Sequence, residues 1–261
     1  MKNVHRCFFP ALLLLLTLTL ALPVRARGTE GLVLLDTGTV REMLKPGLIL
    51  LENGKSYRLD SIRIPVDYYR QAQDELGAAV LDKKVRVYAS GGQGAVLDRY
   101  GVAFAYVRGE DGVWIHDHLL SKGLAWASVP DSGNYKFDIA AKIEANARAQ
   151  RLGFWSDPAY AIKTPDNIHY YSNSFQIVEG KIMSVALKND YFYINFGEDW
   201  KEDFTINMPR KSWRSFNVGS GADFDPELWR GRVIRIRGWV ESRNGPMIEL
   251  TSPEQIEFIK Q

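Results

Sequence analysis

Residues 48–66 read LILLENGKSYRLDSIRIPV. An apolar run meets Asn53-Gly54, a second run follows, and Pro65 closes it. Asn and Gly both tolerate positive φ, so the pair between two strand-like runs predicts a hairpin. Proline has no N–H to donate and ends the second strand. That strand also carries Arg58, Asp60 and Arg63 among its apolar residues. Arg58 and Asp60, two positions apart, share one strand face. The three charges are either a working site, a spent one or a solvated face.

Reading outward, residues 67–81, DYYRQAQDELGAAVL, space their apolar side chains at helical intervals. KVRVYA (84–89) alternates as a strand, SGGQG (90–94) reads as a loop, and GVAFAYV (101–107) is a further strand before an Asp111-Gly112 turn. HDHLLSKG (116–123) suits a short helix stopped by Gly123, and the alanine-rich run from Phe137 to Leu152 a longer one ending at Gly153. Between Ser156 and Ser174 the composition turns to Pro, Asp, Asn, Tyr and Ser, which marks a domain boundary. Beyond it QIVEGKIMSVAL, YFYINFG, DFTINM, RVIRIRGWV and MIELT read as strands, with a second Asn-Gly turn at Asn244-Gly245. PRKSWRSF (209–216) fits a short helix with proline in its first turn. Five strands and one short helix in so few residues suit a small barrel of OB type.

The N-terminus reads as a removable leader. Lys2 and Arg6 precede an apolar run from Phe8 to Leu22, and Val24-Arg25-Ala26 sets small apolar residues at the cleavage offsets. The run is shorter than the ~20 residues that span a bilayer. The expected organisation is a signal peptide over 1–26, a first domain over 27–158, a linker over 159–174 and a second domain over 175–261. That organisation implies a secreted or periplasmic protein with no transmembrane segment after cleavage. The one cysteine, Cys7, falls in the leader, so the mature chain has no thiol for catalysis or metal binding. Removing Lys2, Arg6 and Arg25 from the 33 basic residues leaves 30 against 31 acidic. A nonspecific nucleic-acid binder usually carries a basic surplus. Here only a local cluster of cations can serve that role.

The order of motifs over about residues 45–155 resembles the thermonuclease, or micrococcal-nuclease-like, family. YRLDSIRIP, DRYGVAFAYV with its Asp-Gly turn, HLLSKGLAW and the helix ending LGFWSD carry the likeness. The implied fold is an OB-type barrel carrying helices, so the whole chain is expected to be mainly β with helices, as two OB-like barrels. Members of the family cleave nucleic-acid phosphodiesters with calcium. Two or three acids hold the ion, a glutamate after the strand proline acts as general base, and two arginines bind phosphate.

Most of that set is replaced. The family's first arginine falls on Arg58. The metal-binding aspartate falls on Arg63, the glutamate on Val66 and the second arginine on Val102. The acidic turn upstream falls on Lys45-Pro46-Gly47-Leu48. Calcium takes six to eight oxygen ligands, usually with several carboxylates, so no metal and no cofactor are expected. Asp36, Asp60 and Asp67 are the nearest remaining acids. Two readings stay open for the arginines: a guanidinium pair for phosphate with Arg99 and Tyr100 beside it, or structural pairs of Arg58 with Asp60 and Arg63 with Asp67. His116 and His118 stand i, i+2 on a short helix, a spacing that points them apart, and read as surface or helix-start residues rather than metal ligands.

In the C-terminal part, Arg235 and Arg237 share one strand face opposite Ile234 and Ile236. Tyr191, Tyr193 and Phe196 offer stacking surface beside them. In the alternative reading Phe192, Ile194, Phe196 and Trp239 are core. The acidic Glu198, Asp199, Glu202 and Asp203 would repel phosphate. The functional expectation is a non-catalytic binder of nucleic acid or another phosphate-bearing polymer. The ligand candidates are Arg58, Arg63, Arg99, Tyr100, Arg235 and Arg237. A divergent but active nuclease, or an interaction module with an envelope protein as partner, are the alternatives.

Overall fold

The computed structural model describes residues 29–90, 95–129, 137–199, 201–217 and 225–259. The leader segment and most of the loop at 90–94 lie outside the described residues. Among the described residues no helix is long and apolar enough to cross a membrane.

The first half holds β1 (Leu32–Lys45), β2 (Leu48–Leu51), β3 (Ser56–Leu59), β4 (Ile62–Arg63), α1 (Tyr69–Val80), β5 (Lys84–Ser90), β6 (Ala103–Gly109), α2 (Ile115–Ser121), β7 (Trp126–Ala127) and α3 (Phe137–Ala149). Five of these strands close a barrel in the order β1-β2-β3-β6-β5. Closure depends on β1 serving two partners. Its first part, Leu32 to Thr39, pairs with β5, and its second, Val40 to Lys45, pairs with β2. Register shifts between Leu34 and Asp36 and between Val40 and Glu42 bend the strand from one partner to the other. β3 and β6 run parallel. This is the OB order, with α1 in the connection from third to fourth strand.

The second half holds β8 (Ser174–Lys181), β9 (Ser184–Lys188), β10 (Tyr191–Asn195), β11 (Thr205–Pro209), α4 (Arg210–Asn217), β12 (Val233–Ser242), β13 (Pro246–Glu249) and β14 (Ile256–Phe258). β8 pairs with β12, and β9 heads the row β9-β10-β11-β13-β12. Ile182 exchanges backbone bonds with Gly231 and Arg232, while the amide of Met183 donates to Asn195. β8 and β9 are thus two halves of one bent strand that serves two partners, as β1 does. The ring they complete repeats the strand order of the first barrel, including its parallel pair, β11 with β13. α4 sits in the same connection as α1. The two Asn-Gly turns differ: Asn244 and Gly245 both take positive φ, whereas in the first hairpin only Gly54 does.

Two glycines lock the helices of the first domain. Gly123 and Gly153 both have positive φ, and a Cβ on Gly123 would lie 2.1 Å from the carbonyl oxygen of Leu152. The amide of Phe154 donates to Gly123 at 3.0 Å. The ends of α2 and α3 are therefore held together backbone to backbone, an approach open only to glycine.

Each barrel has its own core, one around Ile49, Leu51, Leu76 and Leu119, the other around Ile194, Ile206, Ile234 and Ile248. A third cluster joins them. Trp126, Phe154 and Trp155 of the first half pack with Phe175 and Ile177 of β8. The segment read as a linker takes part in this packing. Lys163 exchanges backbone bonds with Ile177 and Glu179 along β8, and Ile168 is fully buried in the second core. Trp239, given to the core in one sequence reading, is instead 50% exposed. Its place follows from alternation, because positions 235, 237 and 239 share a face and Ile234, Ile236 and Val240 fill the other.

Candidate ligand cleft

β3 turns Tyr57 and Leu59 inward and Arg58 outward. At Asp60 and Ser61 the strand breaks: Ser61 takes φ 60°, and its amide donates to the Asp60 carboxylate at 2.6 Å. The Ser61 and Tyr106 hydroxyls meet at 2.5 Å beneath this kink. The chain then changes sheet, and β4 pairs with β7, Ile62 facing Ala127 and Arg63 facing Trp126. A flat strand would put Arg58 and Arg63, an odd number apart, on opposite faces. The kink brings both to one cleft.

That cleft encloses about 770 Å³ between Pro46, Gly47, Arg58, Arg63, Tyr69 and the 98–100 turn, with Phe104 and Ser128 also lining it. Asp98 is the one carboxylate among the described residues that line it. Arg58 holds Asp98 through Nη2 at 3.0 Å and Nε at 3.1 Å. The other oxygen of Asp98 accepts from the amides of Tyr100 at 2.8 Å and Val102 at 3.0 Å. The Val102 amide, followed by the Tyr100 amide and Arg58, keeps the Asp98 carboxyl below its ordinary value against the opposing effect of desolvation.

The pairing of Arg58 with Asp60 is therefore corrected. Asp60 is buried under the kink, and the partner of Arg58 comes from 40 residues away. The pairing of Arg63 with Asp67 is corrected as well. Asp67 accepts from the Tyr160 hydroxyl at 2.6 Å. Burial, with that bond and the charge of Asp67, pushes the Tyr160 phenol above its usual range. Arg63 stays exposed with its guanidinium 5.5 Å over the Phe175 ring. Among the described residues it has no carboxylate partner. Arg99 and Tyr100 stand exposed on the rim, the guanidinium 4.8 Å over the ring.

Arg235 and Arg237 are brought to a different place. Arg235 lies directly across its strand from Glu179 on one side and Glu257 on the other, and binds them at 2.6 and 3.0 Å. Arg237 is buried against the first domain, 2.6 Å from Glu144 and 2.9 Å from the carbonyl of Ala127. Their charges are matched by carboxylates. Phe196 is buried, while Tyr191 and Tyr193 are half-buried neighbours 6.3 Å apart. His116, read as a surface or helix-start residue, is buried, its ring 5.2 Å from that of Tyr106; His118 meets Glu75 at 2.9 Å. Asp36 lies in a separate cluster, bound by Tyr57 at 2.7 Å and Asn53 at 3.0 Å.

Sequence reasoning missed one member of the site. Asp98 stood within the quoted DRYG motif, so its signal was present in the sequence.

A five-stranded OB barrel carrying helices, with an arginine-lined cleft beside the strand proline, defines a nuclease-like OB domain. Residues 53–157 match the family described as staphylococcal nuclease homologue and form a domain of that kind. No curated protein matches the chain. The matched span begins inside the first hairpin, so β1 and β2, which close the same barrel, lie before it.

Proposed function

We propose that this protein is an exported, non-catalytic binder of nucleic acid or another phosphate-bearing polymer, with the cleft of the first barrel as its phosphate site. A staphylococcal-nuclease-like domain points to a nucleic-acid-related role. The observation that carries the reading is Arg63. Its guanidinium is exposed at the cleft without a carboxylate partner among the described residues, five positions from a second arginine on the same wall. Guanidinium groups match phosphate oxygens in shape and charge. Export rests on the leader pattern of residues 1–26.

The cleft residues do not suit calcium. Asp98 has one oxygen committed to Arg58 and the other to two amides. Arg63 sets a fixed cation where an acid would be needed, and two like charges at ~4 Å repel by about 4 kcal/mol near a protein surface. Val66, in the general-base position, is an exposed hydrocarbon that accepts no proton. These features support binding without hydrolysis.

Fluorescence anisotropy with labelled single-stranded DNA tests the reading. Binding that weakens with salt, and is lost when Arg58 and Arg63 are both changed to Ala, is the expected result. Absence of binding, or calcium-dependent degradation abolished by chelator, would overturn it.

A further inference from the structure

The cleft continues past the first barrel. Arg63 and Ser128 also line an adjoining cavity of about 240 Å³ whose other walls include Phe175, Trp239, Glu241 and Glu249 of the second barrel. The join is built side chain to side chain. Arg63 lies over Phe175, and Phe175 stands directly opposite Trp239 in the β8–β12 ladder.

Trp239 is the feature the fold does not need. It is half exposed on a strand whose inward side chains, Ile234, Ile236 and Val240, are fully buried. On its own face the two preceding positions, Arg235 and Arg237, are closed by ion pairs. The indole has no ring or cation partner among the described residues. Glu241 is paired with Arg243 at 2.9 Å, whereas the Glu249 carboxylate has no partner among the described residues. A flat aromatic face beside an unpaired acceptor and a nearby cation suits a nucleotide. The base can stack, its N–H edge can meet the carboxylate, and its phosphate can reach the guanidinium.

The two walls are also held in register. Arg63 sits in the β4–β7 ladder, and Arg237, two residues before Trp239, donates to Ala127 of β7. One short strand therefore fixes the cation of the first barrel relative to the indole of the second. Fixed geometry of this kind lowers the cost of ordering a flexible ligand.

We infer that the two cavities form one groove for single-stranded nucleic acid. Phosphate rests on Arg58 and Arg63, a base stacks on Trp239, and Glu249 accepts from its edge. Guanine presents two adjacent donors, N1–H and the 2-amino group, and is the base best matched to a carboxylate. This deepens the phosphate-site reading and rests on it.

The test is anisotropy on the full mature chain with labelled thymidine oligonucleotides carrying one central dG, dA, dC or dT. The wild type is expected to favour dG by about tenfold. Trp239→Ala is expected to weaken all four by about tenfold or more with the salt dependence unchanged, and Trp239→Phe to recover most of that loss. Glu249→Gln, an exposed and isosteric change, is expected to erase the dG preference alone. Trp239→Ala binding like wild type, while the Arg58→Ala, Arg63→Ala double variant loses binding, would overturn the composite groove and leave the phosphate site standing. Equal affinity for all four bases would overturn the role of Glu249. A wild type that binds none of them would overturn both readings together.

Discussion

Arg237 of the second barrel places its guanidinium 2.6 Å from the carboxylate of Glu144, a fully buried residue of α3 in the first. The pair joins the two domains across 93 residues of sequence. Arg148 lies beside it, its guanidinium 5.3 Å over Trp155; burial lowers the Arg148 pKa, and the charge of Glu144 opposes that. Removing Glu144 would leave buried cations without their counter-charge. Glu144→Ala is expected to cost about 3–5 kcal/mol. Glu144→Leu together with Arg237→Met is expected to recover most of it. Urea denaturation of the three proteins measures both.

The glycine contact between α2 and α3 gives a second prediction. Gly123→Ala adds a methyl group 2.1 Å from a backbone oxygen at a residue with φ +64°. Neither backbone can yield without shifting a helix, so a loss of about 2–3 kcal/mol is expected, read as a lowered thermal midpoint. Gly77→Ala, in α1 with nothing near the added carbon, is the control and is expected to be neutral or slightly stabilising.

Two carboxylates are expected to contribute to the acid limb of stability. For Asp36, burial acts to raise the pKa, but the bonds from Tyr57, Asn53 and the Thr37 amide, with the charge of Lys55, bring the balance below the ordinary value of 3.8. Asp98 is lowered too, foremost by the Val102 amide. A depressed folded pKa gives stability that is fully present above the unfolded value and is lost as pH falls through the folded one. Melting temperature should therefore fall below about pH 4, and Asp36→Asn should flatten part of that fall. Tyr57 moves the other way: burial and Asp36 raise its phenol above 10.0, so its contribution is full below that pH and is lost as pH rises through the folded value.

Arg58 should separate stability from binding. Its ion pair with Asp98 is partly exposed, so Arg58→Ala is expected to cost less than about 1 kcal/mol in a denaturant melt. Asp98 keeps its two amide bonds in that variant, and the 98–102 turn stays formed. DNA affinity is expected to fall with a shallower salt dependence.

Introducing the family's residues tests whether the native cleft lacks a metal set. Gly47→Asp, Arg63→Asp, Val66→Glu and Val102→Arg together are expected to create calcium binding, measured by titration calorimetry, where the parent shows none. Gly47 has φ +77°, so an Asp there carries a strain of about 1 kcal/mol, while the nearest atom to its new carbon, on Ile64, is 3.8 Å away. Space for the side chain exists even though the native residue supplies no ligand.

The sequence by itself marked most of the elements, though not the long β1, the short β7 and β14, or the break that separates β3 from β4. Asn53-Gly54 and Asn244-Gly245 marked two of the hairpins, alternation marked the strands, and the order of motifs placed the first barrel in its family, because turn chemistry and periodicity act over a few residues. The partners were not local. Arg58 had Asp60 two residues away on an ideal strand, yet the left-handed Ser61 turned that strand aside and barrel closure delivered Asp98 from β5–β6 instead. Arg235 and Arg237 formed one basic face in the sequence; strand pairing inside the second barrel closed Arg235 with Glu179 and Glu257, packing of the two barrels closed Arg237 with Glu144, and Trp239 was left half exposed. Ion pairing follows distance in space, and in a closed barrel that distance is set by strand order and domain contact rather than by separation along the chain.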